Sequence, residues 1–200
     1  SEAWQSDLIV GVSGSAIAQG TEVIGCPPRF STVIPNIVST TCESLLLGQP
    51  ELQAQLLEGA AHYVADSYFP FDYFLTEWLS GTSLALIAPP EPKKNVGLVF
   101  SALIQALKHR PDLRLIWIAG DGWGESGVDW DTYETLARRG QVARVRGLTD
   151  LVLDSILHCT DSLISPSLIE GFGRPPVQGA LAGCTVAVSN IPAHRETLNN

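Results

Sequence analysis

Basic residues are scarce in this sequence: 12 Lys and Arg stand against 21 Asp and Glu, which gives a formal net charge of −9. Nucleic-acid phosphates are bound through Lys and Arg, so this balance argues against a nucleic-acid partner. It also argues against a strong electrostatic attraction to an anionic membrane surface. Long apolar runs are missing too, because no segment approaches the ~20 apolar residues of a membrane-spanning helix.

Cysteine is rare, and the four cysteines do not occur in the paired spacing of a metal site. Each lies among apolar residues, which predicts buried free thiols in a reducing compartment, the cytoplasm. The sequence also has no recognisable signal peptide. The cysteines are Cys26, Cys42, Cys159 and Cys184.

Apolar residues make up 45% of the 200 residues, and the mean hydropathy is +0.16. That length suits one or two small domains with a real core. A high apolar fraction without a membrane span is typical of parallel sheets covered on both faces, because their strands are continuous apolar runs.

Strands and helices alternate in the C-terminal half, which predicts a parallel α/β sheet. The helix predicted over 95–108 has apolar residues on one face, including Val96, Val99 and Leu103. The predicted strands are 83–88, 113–119, 143–147, 162–165 and 185–189, and the other predicted helices are 133–139, 151–159 and 175–182.

The most informative stretch, residues 165–183, reads Ser-Pro-Ser-Leu-Ile-Glu-Gly-Phe-Gly-Arg-Pro-Pro-Val-Gln-Gly-Ala-Leu-Ala-Gly. A strand precedes it, two glycines flank Phe172 beside the acidic Glu170, and a helix of small residues follows. A strand, a glycine turn and a helix together expose backbone N–H groups to an anion. Glycine also lets a phosphate or sugar approach the backbone closely, because it has no Cβ.

This stretch resembles the signature of the retaining nucleotide-sugar glycosyltransferases of the two-Rossmann-domain (GT-B) type, in the large family-four (group 1) set. The Ser-Pro-Ser, Glu-Gly-Phe-Gly, Pro and Ala-Gly elements recur there in this order. The Gly120-Asp121-Gly122 turn and the segment from Ser189 to Glu196 also resemble family motifs. The resemblance covers about residues 84–198 and implies a Rossmann-like nucleotide-sugar domain.

The resemblance implies an incomplete GT-B architecture. Residues 1–80 are expected to be part of the acceptor-side domain, and residues 81–200 the nucleotide-sugar domain without its last helices. Strands are predicted over 7–13, 32–40 and 62–67, and a helix over 51–61. In the preferred register, Ala65-Asp66-Ser67 is the serine-ended strand near the exit of the acceptor domain. In a rival register, residues 6–13 are that strand and residues 33–36 are the crossing segment.

Aromatic residues are concentrated between Phe69 and Trp78. Packing in a core or between domains is one interpretation of this cluster. A platform for a sugar ring is the other.

Three groups are expected to hold the donor. Lys94 lies at a helix start after a strand, where its charge adds to the helix N-terminus as a clamp for a diphosphate. By resemblance, Glu170 contacts sugar hydroxyls near the reacting carbon. The turn amides of Gly171, Phe172 and Gly173 are expected to face the sugar and the phosphate.

The sequence departs from the family at two positions. Gln178 stands where the family has a ribose-binding Glu, and an amide oxygen accepts more weakly than a carboxylate. Alignment on residues 91–95 puts Pro89 where relatives carry a phosphate-binding Arg. Arg174 is a candidate for the missing cation, and Asp121 is a further candidate donor contact at the sheet edge.

Two functions remain open from the sequence. The first is a metal-independent hexosyltransferase-type glycosyltransferase without a cofactor, which transfers a sugar with retention from a UDP-, GDP- or ADP-linked donor to a carbohydrate, lipid or small-molecule acceptor. The second is a catalytically degenerate binding or regulatory subunit of the same fold. Either could associate with missing domain parts or a partner chain. A Rossmann-type oxidoreductase is disfavoured, because no Gly-x-Gly-x-x-Gly follows a first strand.

Overall fold

The structure, a computed structural model, describes residues 8–24, 30–36, 38, 50–51, 54, 56, 64–66, 68–122 and 127–198. The strands are β1 Leu8–Gly11, β2 Phe30–Val33, β3 Val64–Asp66, β4 Thr82–Ile87, β5 Leu113–Ile118, β6 Val142–Arg146, β7 Ser162–Ser165 and β8 Thr185–Val188. The helices are α1 Gly14–Ile24, α2 Phe71–Ser80, α3 Val96–Ala106, α4 Trp130–Arg138, α5 Asp150–His158, α6 Arg174–Leu181 and α7 Pro192–Leu198. A 3₁₀ turn, Pro92–Lys94, precedes α3.

The larger sheet has six strands in the order β3-β6-β5-β4-β7-β8. Its pairings are parallel, except that β3 runs antiparallel to β6. The chain moves outward from β4 to β6 and then returns to the other side of β4 for β7 and β8. The strand order therefore reverses between β4 and β7, and α/β sheets bind ligands at the carboxyl ends of the strands at such a point. The predicted α/β fold with a parallel sheet is confirmed.

Helices cover both faces of the sheet, which is why its central strands are apolar without alternation. Alternate residues of a strand point to opposite faces. In β5, Trp117 packs with Phe100 of α3 on one face, and Ile116 packs with Trp78 of α2 on the other. The central strands and the helices that cover them therefore bury a core on each side of the sheet.

Side-chain caps mark the start of two helices, α4 and α5. The Asp129 carboxylate accepts hydrogen bonds from the N–H groups of Asp131 and Thr132, so α4 begins three residues before the predicted start at Tyr133. Thr149 caps α5 by accepting from Val152 N–H at 3.4 Å. Helices α3, α5 and α6 begin within one residue of the predicted positions, whereas α7 was not predicted as a helix.

The N-terminal segment forms a separate two-stranded parallel sheet, β1-β2, with α1 between its strands. Strand β2 ends at Val33, well before the predicted residue 40, and Ile34 N–H donates to Gly11 O at 2.9 Å. Of the helix predicted over 51–61, residues 51, 54 and 56 are described and are helical.

The preferred register for this segment is wrong. Strand β3 pairs antiparallel with β6, with Ala65 opposite Val145, so it belongs to the edge of the six-stranded sheet. Strand β1, which the rival register makes the serine-ended strand, is followed by Ser13, leads to α1 and pairs parallel with β2. Strand propensity identified β3 but could not identify its partner, because pairing depends on distant residues.

The aromatic cluster after β3 forms α2, and packing is its main role. Phe71, Phe74 and Trp78 are buried in the core, and Trp78 Nε1 donates to Leu84 O at 3.1 Å. Tyr73 is 54% exposed. The division of the chain at residues 80 and 81 stays a prediction, although β3 and α2 pack on the six-stranded sheet.

Two of the cysteines are described, and both are buried free thiols, as predicted. Burial raises the pKa of Cys159 and of Cys184 to about 11. Cys26 and Cys42 lie outside the described residues. In the described part of the chain, every helix is too short or too polar to cross a bilayer.

Candidate functional site

Lys94 and Glu170 meet at the carboxyl edge of the sheet, where the strand order reverses. Lys94 follows β4 and Glu170 follows β7. Lys94 Nζ lies 2.5 Å from Glu170 Oε1, and the two side chains are only 15% and 13% exposed. Ser167 Oγ also donates to Oε1, at 2.8 Å. Both contacts use the same carboxylate oxygen, so Oε2 takes part in neither.

The backbone brings the two segments together. Asn95 adopts a left-handed conformation with φ of 52°, which separates the 3₁₀ turn that contains Lys94 from α3. Leu168 N–H donates to Lys93 O at 2.8 Å, and Asn95 Nδ2 donates to Pro166 O at 3.4 Å. The loop after β4 is therefore bonded directly to the loop after β7.

The glycine turn, Gly171 to Gly173, leads into α6. Gly173 is the residue before the helix and has a left-handed φ of 80°, a conformation that favours glycine. The second and third residues of α6 are Pro175 and Pro176, which carry no N–H. Of the first three helical residues, only Arg174 therefore offers an N–H to an anion, fewer than an ordinary helix N-terminus provides.

The other two residues predicted on α6 lie along the same helix. Arg174 is exposed, and Gln178, one turn later, is half-buried. An added Cβ at Gly179 would lie 2.6 Å from Leu163 Cδ2, so α6 packs closely on β7 at this point. Among the described contacts, neither predicted side chain is joined to the Lys94–Glu170 pair.

Asp121 lies at the end of β5 and faces two arginines of β6. Its Oδ1 is 3.5 Å from Arg144 Nη2 and 3.3 Å from Arg146 Nη1, but the Asp121 side chain is 85% exposed. Arg144 also donates to Gly120 O at 2.6 Å and stacks on the Trp117 ring. This cluster was not predicted, because strand β6 was recognised only by its apolar residues.

A hydrogen-bonded network under the glycine turn was also missed. His194 Nδ1 lies 3.0 Å from Ser189 O and 3.3 Å from Ser189 Oγ. Ser189 Oγ donates to Ser167 O, and Ser167 is the residue that donates to Glu170. His194 and Ser167 are 1% and 2% exposed. The 189–196 motif marked this region in the sequence, but no residue in it indicated which groups it would contact.

Two further missed residues connect the N-terminal segment to the C-terminal half of the chain. Ser13, which follows β1 and is 1% exposed, donates its hydroxyl to Gly171 O. The Glu196 carboxylate of α7 accepts from Gly14 N–H at 2.8 Å and from Ser15 N–H at 3.1 Å, so it caps α1. These backbone hydrogen bonds lower the pKa of Glu196 below its ordinary value.

Metal ligands are not grouped in the described residues: nowhere in them do three His, Cys, Asp or Glu side chains converge as a metal site would need.

No protein-family model matches this sequence. O-antigen chain mannosyltransferase B of Escherichia coli is 28% identical to it over 115 residues, which is 57% of this chain and 30% of that protein. This chain therefore spans less than a third of its curated relative.

Solved structures with the same fold cover nearly the whole chain. Anabaena Alr3699/HepE, solved with UDP and glucose, superposes with a TM-score of 0.67 and 17% identity over 96% of this chain and 46% of that one. A glycosyltransferase from Rickettsia africae superposes with a TM-score of 0.66 and 20% identity over 96% of this chain and 46% of that one. The pneumococcal O-GlcNAc transferase GtfA, solved with UDP and GlcNAc, gives 0.61 and 16% identity over 96% of this chain and 31% of that one. The resemblance noted in the sequence is confirmed, and the chain has the fold of part of a GT-B glycosyltransferase.

Proposed function

We propose that this chain is the nucleotide-sugar-binding part of a glycosyltransferase of the hexosyltransferase type. It moves a sugar from a nucleotide-diphosphate donor to an acceptor with retention of configuration and without a metal ion. The observation that carries the proposal is the Lys94–Glu170 pair, which lies between β4 and β7 where α/β sheets bind ligands. The solved relatives that contain UDP add support.

In this proposal Lys94 binds the diphosphate of the donor, and Glu170 binds its sugar. The Lys94 ammonium holds the diphosphate and stabilises the charge that develops as it leaves. Glu170 accepts from sugar hydroxyls through Oε2, because Oε1 is already shared by Lys94 and Ser167. The amides of Gly171, Phe172 and Gly173 bind the sugar and its phosphate.

Transfer with retention needs no strong protein base in this scheme. The bond between the anomeric carbon and the phosphate oxygen breaks, and a bond from the acceptor oxygen to that carbon forms on the same face. The proton of the acceptor hydroxyl passes to the leaving phosphate oxygen. The protein's part is to position both substrates and to stabilise the departing charge.

The remaining candidates act on the nucleotide. Gln178 accepts from the ribose, with an affinity about 1–2 kcal/mol weaker than a carboxylate would give. Arg174 supplies a second cation for the phosphates, and Asp121 contacts the donor at the end of β5. A carbohydrate, lipid or small molecule is the acceptor, and the reaction takes place in the cytoplasm.

A second candidate function is a degenerate binding or regulatory subunit. Pro89 and Gln178 replace the expected Arg and Glu, and Pro175 and Pro176 remove two N–H donors at the start of α6. In this case the chain binds a nucleotide sugar weakly or not at all and acts with further domain parts or a partner chain.

The first experiment is a thermal-shift and calorimetry panel of UDP, GDP, ADP and their common sugar conjugates without metal. A ligand that binds the folded state raises the melting temperature by mass action. We expect one nucleotide to raise it, and Lys94→Ala to abolish that rise. The absence of a shift with every nucleotide would contradict nucleotide-sugar binding by this chain.

A second experiment separates the two candidate functions. Gln178→Glu and Pro89→Arg restore the missing groups, and both are tested for sugar transfer and for donor hydrolysis. The glycosyltransferase proposal expects turnover to rise in these variants. Turnover that stays at zero, while a nucleotide still binds, favours the degenerate subunit.

A further inference from the structure

We propose that His194 is a positioning residue, which fixes Glu170 and the glycine turn for the sugar half of the donor. This inference rests on the proposed function, because it assigns the sugar to that turn. His194 lies on α7 and is 1% exposed, so it acts through the groups that it contacts and does not itself touch the sugar.

The surroundings of His194 determine its tautomer. Nδ1 lies 3.0 Å from Ser189 O, and a carbonyl oxygen can only accept. Nδ1 therefore carries the proton and donates to Ser189 O, with Ser189 Oγ as a second, longer acceptor at 3.3 Å. In the neutral ring Nε2 is then the atom with the free electron pair.

Further hydrogen bonds connect Ser189 to the carboxylate of Glu170. Ser189 Oγ donates to the carbonyl of Ser167, and Ser167 Oγ donates to Glu170 Oε1 at 2.8 Å. Each donor in this series fixes the acceptor that follows it. His194 is therefore the first, buried donor in a series of hydrogen bonds. The series ends on Glu170 Oε1, the oxygen that Lys94 also contacts.

The other edge of the ring supports the glycine turn. An added Cβ at Gly173 would lie 3.0 Å from His194 Cδ2 and 3.3 Å from Nε2, so the ring lies against the backbone of the turn. One side chain thus donates to Ser189, which supports Ser167, on one edge and lies against Gly173 of the glycine turn on the other.

A role in packing alone does not account for this residue. Nε2 is buried and has no hydrogen-bond partner among the described residues. Burying a polar atom without a partner is unfavourable, and an apolar ring of similar size would avoid that penalty. The polar function of the residue therefore lies in its Nδ1–H, which an apolar ring could not supply.

The test compares two ligands and three substitutions by calorimetry. The ligands are a nucleotide diphosphate and its sugar conjugate, UDP with UDP-glucose and GDP with GDP-mannose. H194A removes the whole ring, H194F keeps its size without a donor, and H194N keeps an N–H donor at the position of Nδ1. H158N, on α5, is the control for changing a histidine elsewhere.

We expect H194A and H194F to weaken binding of the nucleotide sugar about tenfold, the value of one hydrogen bond. Binding of the nucleotide alone should stay within about twofold, because the diphosphate is held by Lys94. H194N should restore most of the loss, and H158N should match the unmodified protein. The positioning role would be overturned if H194F bound the nucleotide sugar as well as the unmodified protein while H194N did not. It would also be overturned if the substitutions weakened binding of both ligands equally.

A separate measurement distinguishes this inference from the proposed function. If no nucleotide binds the unmodified protein, the proposed function fails, and the positioning role is then judged by NMR of the free protein. The amide signals of Gly171, Phe172 and Gly173 should shift in H194F and return in H194N. Signals that stay unmoved in H194F would refute the positioning role.

Discussion

Two carboxylates that lie beside cations at the carboxyl edge of the sheet, Glu170 and Asp121, differ in burial. The Glu170 side chain is 13% exposed and lies 2.5 Å from Lys94, whereas the Asp121 side chain is 85% exposed and lies 3.3 Å from Arg146. Water screens the second pair, so its attraction is worth little. Removing one member of the first pair leaves a charge with little access to water. Because it is buried, the Lys94–Glu170 pair should contribute more to stability and to the site than the exposed Asp121 pair.

Breaking the buried pair gives the largest expected effect. Lys94→Met should lower the free energy of unfolding by about 3 kcal/mol, because the Glu170 carboxylate is left without its cation. Urea unfolding measures this loss. Adding Glu170→Gln should recover most of it, because the unpaired charge is then removed. A double variant no more stable than Lys94→Met would show that the pair is not coupled.

A change in the glycine turn should have the next largest effect. Gly173→Ala places a side chain at a φ of 80° and against the His194 ring, whereas Gly183→Ala meets the same kind of φ, 90°, in open space. The left-handed conformation alone costs about 1–2 kcal/mol in both variants. We expect urea unfolding to show a larger loss for Gly173→Ala, and the excess measures the contact with His194. Equal losses of stability in the two variants would mean that the His194 ring moves aside without a measurable cost.

The contact between Glu196 and α1 should respond to pH. The N–H groups of Gly14 and Ser15 lower the pKa of Glu196 below its ordinary value. Its contribution to stability is therefore complete above the unfolded pKa and is lost as the pH falls through the folded pKa. The thermal midpoint of Glu196→Gln should fall less than that of the unmodified protein between about pH 5 and pH 3. Parallel curves for the two proteins would contradict this role.

The exposed pair should give the smallest effect. Asp121→Asn removes a charge that water already surrounds, so the change in the free energy of unfolding should stay within about 0.5 kcal/mol. The same urea measurement provides the reference for the Lys94 series. A loss as large as that of Lys94→Met would show that burial is not what separates the two pairs.

The sequence predicted most elements of the six-stranded sheet, because apolar runs and turns are local signals. It also marked Lys94, at a helix start after a strand, and Glu170, through the resemblance to the GT-B signature, and the structure brings these two side chains together. It did not predict that β3 joins this sheet, that Ser13 and His194 contact the glycine turn, or that Glu196 caps α1. Those contacts link residues far apart in the chain, and no local pattern specifies which distant group will be the partner.

Strand β8, Thr185–Val188, ends the six-stranded sheet and, in the described part of the chain, pairs only with β7. Its residues, Thr-Val-Ala-Val, include none of the lysines or prolines that commonly protect such edges. In the described residues, the outer row of N–H and C=O groups of β8 is unpaired, and such a row is a template on which a strand of another polypeptide can add. At high concentration, we expect this edge to govern self-association and solubility of the isolated chain.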